Sequence, residues 1–297
     1  MTRRASARAR ARTVSELARR AVNEDRVRED RTTRAVLPRA VPAVGRVEAQ
    51  AAGVLSGVDV ARAVARVTGV RVVAALRDGA PVRPGTVVLR LRGDARRILG
   101  AERTILNVLM HASGVATATA RAVRAARGSS PPLEVWGTRK TTPGLRDLEK
   151  AAIVHGGGRA HRRDLSDAVL IKNNHLAFVA LDAAVRAAKA QSRRGEPIEV
   201  EVGSAAEAVG AVRAGATRVL IDNANPAKAR SIVRALERTG MRRTVWVELS
   251  GGITPENIGR FRHVGANAAS LGALTHSAPA LPFHLVLGPA RLNPRRT

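Results

Sequence analysis

Cysteine is absent from all 297 residues, which excludes disulfides, thiolate-bound metal and a cysteine nucleophile together. Tyrosine is absent too, and aromatics make up only 2% of the chain, so an apolar interior has to be assembled from alanine, valine, leucine and isoleucine through many small contacts. No stretch of about 18 uninterrupted apolar residues occurs, so no segment reads as crossing a membrane. Acids are scarce, 24 against 51 lysines and arginines, which leaves a formal net charge of +27. Such a charge points to nucleic acid when basic residues cluster among aromatics that stack on bases. Here arginine is spread along the whole chain and stacking residues are few, so the charge reads as an arginine-rich bias and no specific nucleic-acid partner is expected. A basic nucleic-acid-binding protein stands as the alternative from another functional class.

The opening MTRRASARARARTV has the arginine, serine and alanine of a transit peptide and no acid before Glu16, but lacks the apolar stretch of a secretory signal. Because the same bias runs through the rest of the chain, residues 1–12 are read as a disordered basic tail on a cytoplasmic protein.

The length suits two moderate domains. Residues 1–117 read as a small α+β, sandwich-like domain: a helix over Val14–Ala21, short strands broken by glycine and proline between Val44 and Leu91, a helix near Val58–Val67, and a long helical stretch over Ala95–Ala126 with a break expected at Gly114. Residues 118–275 alternate strands and helices. Strands are expected at 133–136, 168–171, 198–202, 219–222, 245–249 and 268–271, with helices at 145–155, 177–190, 205–214, 227–239 and 255–264. Ser204 ahead of Glu207, and Thr254 ahead of Pro255, mark two of the helix starts. Residues 276–297 are expected to return to the N-terminal domain.

Regular βα alternation implies a parallel sheet with crossover helices. Six strands are too few for an eight-stranded barrel, and an open doubly wound sheet is the generic alternative. Polar residues nevertheless follow every strand: Arg139 and Lys140, Lys172 and His175, Glu201, Asp222, Glu248 and Ser250, then Ser270 and Gly272. In an open sheet, ligand groups gather at one switch point, whereas in a barrel all strand ends converge on one mouth. An incomplete α/β barrel of about six strands is therefore the expected fold.

Three groups at those strand ends suit anionic chemistry. Only five of the basic residues are lysines, yet two of them, Lys140 and Lys172, sit at strand ends, where a compact ammonium makes point contacts that a planar guanidinium makes less well. Glu201 and Asp222 end successive strands inside apolar runs, where a carboxylate is costly unless it holds a metal, a hydroxyl or a cation. Glu199 shares the face of Glu201 by strand alternation. A simple ion pair of Glu201 with Lys140 or Lys172 is the alternative. Ser250-Gly251-Gly252 and Ser270-Leu271-Gly272-Ala273 are glycine loops after the last two strands, a recurrent phosphate site in βα barrels.

The stretch Thr138–His175, TRKTTPGLRDLEKAAIVHGGGRAHRRDLSDAVLIKNNH, resembles the signature of the quinolinate phosphoribosyltransferase family, the carboxylating nicotinate-nucleotide pyrophosphorylases of NAD biosynthesis. The likeness continues through Glu102-Arg103-Thr104, Ile198–Val202, Ile221–Asn223, Ser250–Ile253 and Gly272–Ser277. It implies transfer of phosphoribosyl from phosphoribosyl pyrophosphate to quinolinate, with loss of CO₂ and pyrophosphate. Quinolinate binding is implied for Arg103, Arg139, Lys140, His161, Arg162 and Lys172, and catalytic roles for Lys140, Lys172, Glu201 and Asp222. Phosphoribosyl pyrophosphate is assigned to Glu201, Asp222, Ser250, Gly251, Gly252, Ser270, Gly272 and Ala273. Mg²⁺ is expected mainly through the pyrophosphate, with Glu201 and Asp222 as the protein groups nearest in chemistry. A homodimer in which Arg103 enters the neighbouring subunit's site is implied as well. The chain departs from the usual pattern at Gly137, Asn173 and Gly203, which leaves a same-fold transferase for another aromatic acid as the alternative.

Overall fold

The structure is a computed structural model that describes residues 3–128 and 132–290, with side chains described from residue 11 onward. In chain order it begins with α1 (Arg3–Glu24), α2 (Arg31–Val36), β1 (Pro42–Ala49), β2 (Gly53–Val54), α3 (Val58–Val67), β3 (Arg71–Ala75), β4 (Pro81–Val82), β5 (Val87–Asp94) and α4 (Ala95–Ala126). The middle of the chain forms β6 (Glu134–Trp136), α5 (Arg146–His155), β7 (Val169–Ile171), α6 (Asn173–Leu176), α7 (Leu181–Gln191), β8 (Ile198–Val202), α8 (Ala205–Ala214) and β9 (Arg218–Asp222). The chain closes with α9 (Pro226–Arg238), β10 (Trp246–Ser250), β11 (Ala268–Ser270), α10 (Ala273–His276) and β12 (Phe283–Pro289). It divides into two compact units, Met1–Thr117 with Asp147–Gly156 and Pro279–Thr297, and Ala118–Arg146 with Gly157–Ala278.

The first unit is built on an antiparallel sheet in the order β12-β1-β5-β3. Strict alternation along β1 turns Ala43, Val47 and Ala49 inward. Leu89 and Leu91 of β5, Val60 and Val64 of α3, and Ile98, Ile105 and Leu109 of α4 complete the apolar interior. Most of α5 groups with this unit because Glu149, fully buried, meets His111 Nε2 of α4 at 2.8 Å, and His155 Nδ1 meets Ser56 Oγ at 2.8 Å.

The first unit differs from expectation at two points. Helix α1 begins at Arg3 rather than after a structureless tail, in keeping with the high helix propensity of alanine and arginine. Helix α4 runs through Gly114 unbroken. A Cβ at Gly114 would stand 2.3 Å from the Pro279 carbonyl oxygen, so glycine is there to let a neighbouring segment approach.

The second unit is a six-stranded parallel sheet in the order β6-β11-β10-β9-β8-β7. One face of its central strands, Val200, Val202, Val219, Ile221, Val247 and Leu249, packs on Ala208 and Ala211 of α8 and on Ile232, Val233 and Leu236 of α9. Burying each of the larger side chains stabilises the unit by about 1.5–3 kcal/mol. The alternate residues, Glu199, Glu201, Arg218, Asp222, Trp246, Glu248 and Ser250, therefore fall on the opposite face, the interior of an incomplete α/β barrel. The strands β6 and β7 are the two margins of the sheet.

The helices have local causes. Ser204 Oγ accepts from Glu207 N at the start of α8, while the Glu207 carboxylate accepts from Gly203 N. Asn225 caps α9, with Pro226 at its first position. The helix expected over 255–264 is replaced by a single 3-10 turn, Ile258–Phe261. Asn257 explains this: its side chain takes the Thr254 N–H and donates to the Gly252 carbonyl, satisfying locally the groups that an α-helix would use.

Candidate active site

The lysines at the strand ends are held by their own backbones. Beyond β6, the Lys140 N–H donates to Thr138 Oγ1 (3.0 Å) and its carbonyl accepts from Thr275 Oγ1 (2.6 Å). This seats Lys140 beside the loop after β11, where a Cβ on Gly272 would lie 3.0 Å from Lys140 Cδ. Beyond β7, the Lys172 N–H donates to His175 Nδ1 (2.9 Å), and its ammonium reaches Glu201 Oε2 at 3.1 Å. The other oxygen of Glu201 accepts from Asn173 Nδ2 at 3.1 Å. The ion pair of Glu201 with Lys172, the alternative to a ligand role, is thus present. Asn173 also acquires a reason: an aspartate there would face Glu201 with like charge, whereas the amide donates to it.

Two arginines accompany these lysines along the chain, Arg139 beside Lys140 and Arg162 ahead of β7. Arg162 donates from Nη1 to the Ala168 carbonyl (3.0 Å). Burial holds its guanidinium below the usual arginine value, and the charge of Arg139 adds to that while Glu199 opposes it. The Nε of Arg139 is buried without a hydrogen-bond partner. Two like charges brought together with donor capacity left over are arranged for an anion.

Below the arginines the interior is polar. His161 Nδ1 accepts the Arg162 main-chain N–H at 2.8 Å, and its Nε2 lies 3.5 Å from Glu199 Oε2 and 3.6 Å from Glu248 Oε1. Glu248 is fully buried. Burial, then the neighbouring charge of Glu199, pushes its carboxyl from the ordinary 4.5 up to about 7, against the pull of His161, Ser270 and Arg218. Arg218 itself stacks 5.8 Å from the Trp136 ring and 5.6 Å from the Trp246 ring.

That raised value has a consequence for stability. A folded carboxyl that titrates near 7 instead of 4.5 binds its proton more tightly than the unfolded chain does. The resulting stabilisation is complete below the unfolded value and is lost as pH rises through the folded one. We expect the melting midpoint of Glu248→Gln, relative to wild type, to rise between pH 5 and pH 8, roughly the interval over which linkage acts. A constant difference would mean that Glu248 ionises as an exposed glutamate does.

The glycine loops close the strand ends. Gly251 has φ +86°, and a Cβ there would meet Asn223 Oδ1 at 2.2 Å, so the loops after β9 and β10 touch through glycine alone. Asn223 is itself left-handed at φ 48° and donates to the Asp222 carboxylate (2.7 Å). Ser250, Gly251 and Gly252 after β10, and Ser270, Gly272 and Ala273 around β11, stand at neighbouring strand ends.

As a Mg²⁺ site the acids are unequal. Both oxygens of Glu201 are engaged by Lys172 and Asn173, while Asp222 keeps one oxygen not taken by any described residue. Such a set suits an ion that arrives with oxygen ligands of its own. Arg103 belongs to the first unit, where it is exposed on α4 with Nη1 3.4 Å from Asn107 Oδ1. Sequence reasoning did not find the Arg218, Trp136 and Trp246 stack or the facing of Glu248 with His161. Alternation put each residue on its face, but only strand register makes them neighbours.

A parallel barrel whose strand ends gather paired arginines, paired lysines, two acids and glycine loops defines an α/β-barrel enzyme for small, multiply anionic substrates. The family models for the quinolinate phosphoribosyl transferase N-terminal and C-terminal domains match residues 30–113 and 115–286, and the chain belongs to this family. It is 43% identical over 234 residues to a probable carboxylating nicotinate-nucleotide pyrophosphorylase of Archaeoglobus fulgidus, covering 78% of this chain and 90% of that one. It is 39% identical to the human carboxylating nicotinate-nucleotide pyrophosphorylase, covering 85% of each. Among solved structures, NadC from Streptococcus pyogenes superposes with a TM-score of 0.84 at 34% identity, covering 93% of this chain and 97% of that one.

Proposed function

We propose that the chain transfers the phosphoribosyl group of phosphoribosyl pyrophosphate to quinolinate and releases CO₂ and pyrophosphate, giving nicotinate mononucleotide for NAD biosynthesis. The observation that carries this reading is the Arg139 and Arg162 pair, two mutually repelling guanidiniums with a buried, unpartnered Nε. One carboxylate satisfies one arginine; a ring with two adjacent carboxylates suits both. Family membership and the names of the relatives point the same way.

In this reading, the arginines and Lys172 orient the pyridine ring so that its nitrogen faces the anomeric carbon of the ribose. Lys140 and the glycine loops hold phosphate and pyrophosphate oxygens. Glu201 and Asp222 face the ribose hydroxyls and the positive charge that develops as pyrophosphate leaves. The N-ribosylated ring then sheds its 2-carboxylate, because the cationic nitrogen accepts the electron pair left behind. No covalent enzyme intermediate is needed, and positioning and electrostatics carry the rate. Asp222 would be the protein oxygen available to Mg²⁺, which would supply neutralisation of the leaving pyrophosphate. The assembly is a homodimer in the cytoplasm, with Arg103 completing the partner's site.

The test offers phosphoribosyl pyrophosphate and Mg²⁺ with quinolinate, then with nicotinate, and measures CO₂ and pyrophosphate. Turnover of quinolinate with one CO₂ per pyrophosphate is expected. Product from nicotinate alone would move the acceptor to a monocarboxylate.

A further inference from the structure

The interior of the barrel holds a set of acids for which the reaction has no direct use. Glu199 is 4% exposed and Glu248 fully buried, and three of their four oxygens, Glu199 Oε1 and both of Glu248, have no hydrogen bond of good geometry; the Ser270 hydroxyl near Glu248 donates instead to the Leu249 carbonyl. With His161 they form a cluster whose ligand atoms all lie within 4.8 Å of one another. Such a trio suggests a divalent metal, and the separations suit one. The tautomer of His161 argues against it. Its Nδ1 accepts the Arg162 N–H at 2.8 Å, so Nδ1 carries no proton and the neutral ring must carry it on Nε2, the nitrogen that faces the acids. A metal at Nε2 would leave the ring with no proton at all, whereas metal-bound histidines donate from their other nitrogen.

Two buried acids this close to one another need cations or donors around them. The cations and dipoles facing them are His161, Arg218 from β9 and Ser270 from β11, with Arg162 above. Both approaches of Nε2, 3.5 and 3.6 Å, exceed a good hydrogen bond, so the attraction is that of one N–H dipole for the oxygens of two facing acids. Its effect is directional, because it fixes which ring nitrogen bears the proton.

We propose that Glu199 and Glu248 are positioning residues for the carboxylate clamp: facing the Nε2–H of His161 from two strands, they keep the ring proton on that nitrogen and leave Nδ1 as the acceptor that seats the Arg162 main chain. Arg162 is thereby fixed at its root as well as by its contact with the Ala168 carbonyl. This rests on the reading of Arg139 and Arg162 as the clamp for a dicarboxylate. It assigns no substrate contact to either acid.

The experiment uses the full chain, with quinolinate and phosphoribosyl pyrophosphate each varied at saturating levels of the other. Glu199→Leu and Glu248→Leu, each of which removes one of the two carboxylates facing Nε2, are each expected to raise KM for quinolinate about tenfold, the scale of one lost charge-assisted hydrogen bond. KM for phosphoribosyl pyrophosphate and kcat are expected to stay within about twofold, since only ground-state holding of the acid is disturbed. Glu199→Gln and Glu248→Gln each keep a carbonyl oxygen able to face the Nε2–H and should restore near-normal KM. In ¹⁵N spectra of the wild type, the ring signal lost in His161→Gln should be that of the Nε2–H tautomer, and Glu199→Leu should mix in the other.

Equal changes in both KM values, or none, overturn the proposal, as does an Nδ1–H tautomer in the wild type. Stoichiometric metal that survives dialysis in the wild type and is lost in Glu248→Leu would make this a metal site instead. If the wild type turns over no quinolinate, the proposed function fails, and the tautomer spectra still decide the role of the acids by themselves.

Discussion

Arg139→Ala is expected to lower kcat/KM for quinolinate by ~10²–10³, the usual cost of removing one preorganised charge from such a site, while leaving the fold intact. Both halves of that expectation have the same physical origin. The Arg139 Nε is buried without a partner, and the charge of Arg139 disfavours that of Arg162. Truncation therefore removes no described hydrogen bond of this guanidinium and relieves a repulsion, so stability should change by no more than about 0.5–1 kcal/mol in either direction. The substrate, by contrast, loses half of its clamp. Lys140 and Lys172 stay in place, tied through Thr275 and His175, so binding of phosphoribosyl pyrophosphate should change little. The measurement is kcat/KM for each substrate beside a melting curve. Near-normal turnover in a folded variant would reduce the cluster to a solvated basic surface.

The second large effect is a recovery. Arg103→Ala and Lys172→Ala are each expected to be inactive, and a mixture of the two should regain activity if Arg103 acts in the partner's site. Lys172 belongs to the barrel, bridged to Glu201 at 3.1 Å. Arg103 stands in the other unit, and its guanidinium meets Asn107 and, among the described residues, no carboxylate. A heterodimer of the two variants has one site lacking both groups and one site with both intact. Random pairing of equal amounts makes half of all dimers mixed, so about a quarter of wild-type sites return, as two-fold symmetry requires. Subunit exchange has to be shown separately, for instance by mass. With exchange shown and no activity regained, Arg103 would act in its own chain's site or outside catalysis.

The barrel was legible because its signals are local. Period-two alternation in β8 and β9, capping at Ser204, and loop glycines are read within a few residues. The failures were also local rules overridden by distant partners. Gly114 looks like a break until the Pro279 carbonyl is seen against it, and the turn at Ile258–Phe261 looks like a helix until Asn257 claims its neighbours' groups. Within the candidate site, the sequence placed each polar residue at its strand end but not beside its partners. Glu201 finds Asn173 28 positions away, and His161, in the connection between α5 and β7, comes to face both Glu199 of β8 and Glu248 of β10.

The strands at the two margins of the barrel sheet have a bearing on association. A bare edge is a template on which another chain can add a strand, and long flat edges seed aggregation. Both margins here, β6 and β7, are three residues long, and Trp136 of β6 already bridges to Arg159. Each offers too few free groups in line to register an incoming strand. A barrel can in this way be left unclosed without the gap becoming a place for chains to associate, and lengthening either margin by several apolar residues is the change that would remove that protection.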